Sequence, residues 1–156
     1  MAAFTDFMEN KMIDFLFRGQ ALGVTGATAA AGTGPSTLYY GLLTATPTDS
    51  TPGTEVTGGS YARVAVTSSL TNWAGTQAAG STTVSSGTSG TTSNNTVITF
   101  PAPTANWGSV VAVCIYDAAT GGNPLIYSTL TTSKTINNGD AAPSFAIGAF
   151  TFQIDN

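Results

Sequence analysis

Histidine is absent from this 156-residue chain, cysteine occurs once, and only four lysines and arginines stand against eight aspartates and glutamates. Each scarcity closes a class of function. Without histidine there is no ordinary general base near neutral pH, no Ser-His-Asp triad and no imidazole metal ligand. The single cysteine, Cys114, cannot form an internal disulfide. Its place in the run Val110-Val-Ala-Val-Cys-Ile-Tyr116 marks it as a small buried hydrophobe rather than a nucleophile. Four unclustered cations cannot neutralise a phosphate backbone, so nucleic acid is not an expected partner. The same apolar run is the longest in the chain and strand-sized, far below the roughly 20 residues of a membrane span. Asp6 and Glu9 precede any hydrophobic stretch, the wrong polarity for a secretory leader.

What remains is a low-charge, hydroxyl-rich chain. Charged residues make up 8%, against about a quarter in ordinary domains, and 18 glycines sit among abundant threonine, serine and alanine. A net charge of −4 is modest, and little local repulsion keeps copies apart. Such a surface suits repeated assembly, with neighbouring subunits covering what charge would otherwise protect.

One helix is expected, over residues 4–18, with Thr5 as its cap, Asp6 and Glu9 in the first turn and Gly19 ending it. On a helical wheel Phe4, Met8, Met12, Phe15 and Leu16 share one face, and Asp14 and Arg18 are spaced for an i, i+4 pair. Phe7, Ile13 and Phe17 fall outside that stripe. A helix apolar on more than one side reads as a docking element, 1–20, with Phe4, Phe7, Met8, Met12, Ile13, Phe15 and Phe17 as candidate partner contacts. Residues 21–36 lack period and charge and read as a flexible linker. The segment from Gly32 to Thr37 lacks the lysine of a phosphate loop.

From residue 37 to 156 the texture is β. Strand candidates are 37–44, 60–67, 96–100, 109–116, 124–130 and 145–154, separated by Gly, Pro, Asn and Asp clusters. The turns at Thr120-Gly-Gly122 and Asn137-Asn-Gly139 tolerate positive φ. The expected class is all-β, an antiparallel sandwich or jelly roll with one N-terminal helix. Residues 75–96 carry no charge and Val84 as their one large aliphatic; inside a compact domain they are expected to form an extended hairpin or arm.

The acids are scattered, mostly among turns, with Glu55 placed to answer Arg63 across a hairpin, so no carboxylate pair for glycan cleavage is apparent. No catalytic or metal-ligating residue and no cofactor is expected. Asp117 and Asp140 read as turn-formers rather than calcium ligands. Sugar recognition uses exposed aromatics, for which Tyr39, Tyr40, Tyr61, Trp73 and Trp107 are candidates by type, although each is also a natural core anchor.

The block from Thr37-Leu-Tyr-Tyr-Gly-Leu-Leu-Thr-Ala-Thr-Pro-Thr-Asp49 through Thr54-Glu-Val-Thr-Gly-Gly-Ser-Tyr-Ala-Arg63 resembles a family of small virion proteins of tailed bacteriophages, commonly labelled tail-fibre proteins. The likeness continues through Asn72-Trp-Ala-Gly-Thr76, Thr99-Phe-Pro-Ala-Pro103, Tyr116-Asp-Ala-Ala-Thr-Gly-Gly122 and Asn138-Gly-Asp-Ala-Ala-Pro-Ser-Phe145. It implies a virion location and a structural role without catalysis, among copies of the same chain and other capsid or tail proteins. The chain shows no heptads, collagen-like triplets or repeats that would build a long shaft. That favours a capsid decoration or cement protein or a short-fibre component. The alternative is a receptor-binding adhesin at a fibre or tail tip, gripping host surface polysaccharide.

Overall fold

The computed structural model describes residues 4–23 and 34–154. Its elements run α1 (Asp6–Arg18), β1 (Thr37–Ala45), β2 (Thr54–Glu55), β3 (Val64–Thr67), β4 (Thr91–Ser93), β5 (Ile98–Thr99), β6 (Gly108–Tyr116), β7 (Pro124–Ile136), β8 (Ser144–Phe145) and β9 (Thr151–Gln153). The expected class holds: antiparallel β-structure, sandwich-like and without a barrel, with a single N-terminal helix. The chain forms two compact units, and they cut across the linear division into helix, linker and β-domain. Unit 1 gathers Met1–Thr37, Thr67–Val97 and Phe145–Asn156, while unit 2 holds Leu38–Val66 and Ile98–Ser144. Most of the 21–36 linker lies outside the described residues.

In unit 2 the sheet order is β2-β1-β6-β7, with β3 also paired to β1. Strands β1 and β6 are central, which explains their near-continuous apolar runs. They pair antiparallel from Tyr39↔Tyr116 to Leu43↔Ala112, and both faces are covered, with Leu38, Tyr40 and Leu43 on β1 and Ala112 to Tyr116 on β6 buried. Cys114 lies within this core beside Leu43, Ala112 and Tyr116. Burial pushes its thiol pKa up, the behaviour of an inert core cysteine.

β7 is longer than expected and almost wholly exposed, with only Ile136 buried. Its ladder with β6 is broken twice. Val110 pairs with Lys134 but Ala112 with Thr129, so residues 130–133 loop out opposite Val111. Tyr116 pairs with Pro124 and Ile115 with Ile126, leaving Leu125 extra. A proline, two bulges and a lysine interrupt the strand at the margin of the sheet, the usual guards against unwanted strand addition.

Unit 1 is built around α1. The sequence stripe is not the face it buries: the buried positions are Glu9, Ile13, Asp14, Phe17 and Arg18. Phe4 and Phe7 are exposed, and Met8, Met12, Phe15 and Leu16 are half-buried. Phe17 meets Trp73 at 4.8 Å and Phe152 at 5.1 Å between ring centroids, and Trp73 packs edge-on against Phe150. The helix ends as expected at Gly19, whose φ of 66° donates its N–H to Asp14 O. A Cβ there would come within 2.7 Å of Ser68 O, so glycine is required twice over. Thr5 occupies the cap position, but its side chain makes no capping hydrogen bond.

Residues 75–96 lie along α1 rather than reaching out as a hairpin. Thr76 Oγ1 donates to Asn10 in a very short hydrogen bond, and Asn10 Nδ2 donates to Gly87 O at 2.9 Å. The segment then becomes β4, which pairs antiparallel with β9 through Thr92↔Phe152. Ser/Thr-rich composition thus serves as a hydrogen-bonding coat for a helix face that carries charge.

Candidate functional site

Two arginine clusters organise the polar interior. In unit 1, Arg18 is fully buried. Its Nη1 donates to Asp14 Oδ1 at 2.7 Å and to Ser85 Oγ at 3.0 Å, its Nε to Trp73 O at 3.1 Å and its Nη2 to Thr83 O at 2.6 Å. Asp14 in turn accepts from Ser85 Oγ at 2.6 Å and Ser85 N at 2.9 Å. The i, i+4 pair read from the sequence therefore exists, but as a desolvated hub rather than a surface bridge.

In unit 2, Arg63 pairs with Glu55 as expected, and the contact is forked: Nε to Oε1 at 2.8 Å and Nη2 to Oε2 at 2.7 Å. Its Nη1 also donates to Ala118 O and Gly121 O, each at 2.7 Å, and its guanidinium lies 3.3 Å from the Tyr116 ring centroid. Tyr61 completes the clamp, donating to Glu55 Oε1 and accepting from Leu42 N, both at 2.8 Å. Burial, first of all, drives the Tyr61 and Tyr116 hydroxyls well above the usual phenol range, and the hydrogen bond to Glu55 raises Arg63 further. These are locked ground-state groups. None is poised to exchange a proton near neutral pH.

Two further acids accept hydrogen bonds within short loops. Asp117 accepts from Asn123 Nδ2 and Asn123 N, both at 2.7 Å; the side-chain bond, then the backbone bond, hold its carboxyl below its ordinary value. Asp140 Oδ2 accepts from Asn137 N at 2.8 Å. Both close turns, as the sequence indicated. Among the described residues no three of His, Cys, Asp or Glu come together as a metal cluster.

The aromatics singled out as ligand-facing are mostly interior. Tyr40, Trp73 and Trp107 are buried and Tyr39 and Tyr61 partly so. Tyr61 stacks on Phe100 and meets Trp107 edge-on, while Trp107 Nε1 donates to Gly59 O at 3.0 Å. They anchor the fold by burying large apolar rings, and Tyr61 and Trp107 also satisfy their polar ends within it. The exposed aromatic missed from the sequence is Tyr127 on β7, whose hydroxyl donates to Asp49 Oδ1 at 3.2 Å. Of the partner-contact candidates, Ile13 and Phe17 are core, whereas Phe4 and Phe7 are 53% and 58% exposed. Lys11 Nζ lies 5.7 Å from the Phe7 ring centroid.

The two arginine clamps and the turn-closing aspartates thus hold the fold together, while Phe4, Phe7, Leu125 and Tyr127 stay exposed. The chain belongs to the family described as Podophage GP4 fiber I protein gp80, matched over residues 3–153. It is thus a podophage fibre structural protein and a component of the virion. A search of curated proteins finds no match.

Proposed function

We propose that this chain is a non-enzymatic module displayed on the particle surface as a short-fibre or decoration component, docked to other virion subunits through the first turns of α1. The observation that carries this reading is the pair Phe4, just before the cap, and Phe7, in the first turn, both exposed at the start of a helix whose far end is fixed by the Arg18 hub. A rigidly mounted apolar patch on a protein with little surface charge is what an assembly contact requires. Partners are other copies of the chain and neighbouring virion proteins.

Removing the helix is a poor test, because Ile13, Phe17 and Arg18 hold unit 1 together. The double substitution Phe4→Ser and Phe7→Ser, supplied to particles in place of the wild-type chain, keeps the fold and should abolish incorporation. Normal incorporation of that variant sinks the docking role. Particle reconstruction then separates the two placements, since decoration covers the head in many copies and a short fibre occupies a few tail positions.

The adhesin reading is favoured by one specific observation, the exposed Tyr127 set beside Asp49. Adsorption of the purified protein to host cells distinguishes it from a purely architectural role.

A further inference from the structure

Unit 2 carries a groove of about 510 Å³ between the β1–β2 loop and the start of β7. Leu125 and Tyr127, 40% and 41% exposed, offer its apolar surface together with Pro47, Pro52 and Pro124. Asp49 is its one charged group. Tyr127 OH donates to Asp49 Oδ1, and that bond raises the phenol pKa, so the hydroxyl keeps its proton. Asp49 Oδ2 has no protein partner among the described residues. The loop is preformed: Thr48 N donates to Thr51 O at 2.9 Å, Thr51 N to Thr48 O at 3.3 Å, and the two hydroxyls meet at 2.7 Å.

We propose that this groove binds a neutral glycan unit, an assignment that rests on reading the chain as a fibre-apparatus component facing the host. Sugars present C–H faces and a rim of hydroxyls. The tyrosine and proline surfaces suit the first, and the open carboxylate oxygen accepts from the second. No lysine or arginine lines the groove, so an acidic sugar would meet only the like charge of Asp49. A peptide strand added to β7 fits less well. Pro124 lacks an N–H, Leu125 is bulged, and the ladder is regular only in two short runs, Ile126–Thr129 and Lys134–Ile136. Loop preorganisation lowers the ordering cost of binding, and repetition on a particle multiplies a weak single site.

The test is titration of ¹⁵N-labelled protein with neutral hexose, deoxyhexose and N-acetylhexosamine oligomers, with a uronic-acid oligomer as control. At least one neutral oligomer should shift Thr51, Leu125 and Tyr127 saturably, with Tyr127→Ala and Asp49→Asn each weakening binding roughly tenfold. Tyr127→Phe, which keeps the ring and so guards against a folding artefact, should fall between. No shift with any neutral oligomer, preference for the uronic acid, or unchanged affinity in Tyr127→Ala would overturn the assignment. Particles built with Tyr127→Ala should contain the chain yet adsorb less to host cells. Loss of the chain from those particles assigns the groove to a subunit contact and also overturns it, whereas a wild-type chain that fails to enter particles refutes the virion-surface role instead.

Discussion

The two arginine hubs use the same side chains in opposite ways. Arg18 pairs with Asp14 four residues earlier on one helix, with side chains 0% and 3% exposed. Its other partners are Trp73 O and a distant, uncharged Ser/Thr segment. Arg63 pairs with Glu55 across a turn, with side chains 7% and 24% exposed, and rests on an aromatic ring. The first sits where removing a partner strands a charge without water. The second keeps solvent at one edge, so its worth lies in fork geometry and in the carbonyls it gathers from the 117–122 turn. One hub makes the helix part of a core; the other fixes a turn against a sheet.

Breaking the comparison at its strongest point, Arg18→Ala should lower unfolding free energy by about 3–5 kcal/mol in urea titration, because Asp14 is left buried and unpaired. Replacing both residues with leucine and methionine should recover a large part of that loss. Next comes Arg63→Lys, expected to cost about 1–3 kcal/mol by the same measurement: lysine cannot make the fork or lie flat on Tyr116. Gly41→Ala sharpens the same side of the contrast. A methyl there would meet Glu55 Oε1 at 2.8 Å and the Tyr116 ring at 2.9 Å, and overpacking of this kind costs about 1–3 kcal/mol.

Smaller effects follow from pH. Because Asp117's folded pKa is depressed, its contribution is present above the ordinary carboxyl value of 3.8 and is lost as pH falls through the folded value. Asp117→Asn should flatten that acid limb of the melting curve. Tyr127 has the opposite sign: its contribution is intact below the ordinary value of 10.0 and lost as pH rises beyond it. Asp49→Asn should remove this alkaline limb. Smallest of all, Phe4→Ser with Phe7→Ser should leave stability within about 0.5 kcal/mol of wild type by urea titration.

Short-range chemistry was legible in the sequence. The Glu55–Arg63 fork, the Asp14–Arg18 spacing, the Gly19 terminator and the turn roles of Asp117 and Asp140 all depend on residues close in the chain. The orientation of α1 was not. Hydrophobic periodicity assumes that the buried side is the apolar one, and here Asp14 and Arg18 go inside because Ser85, Thr83 and Trp73 supply hydrogen bonds from far away. β4 was likewise invisible, since Thr91, Thr92 and Ser93 pair through backbone with a segment near the other end of the chain. The groove was missed because Asp49 lies in the β1–β2 loop and Tyr127 on β7, far apart in the chain with no shared period to connect them.

The placement of Phe17 between Trp73 and Phe152 also sets an order of events during synthesis. Unit 2 lies wholly within the stretch of chain that separates α1 from β9, so it can close on itself while unit 1 is still missing a wall. The helix therefore emerges from the ribosome early and waits longest for its last neighbour. A waiting face made of Glu9, Asp14 and Arg18 as well as Ile13 and Phe17 is far less adhesive than an all-hydrocarbon one. The charged hub that locks the finished unit thus also leaves the waiting face more soluble than a purely apolar one.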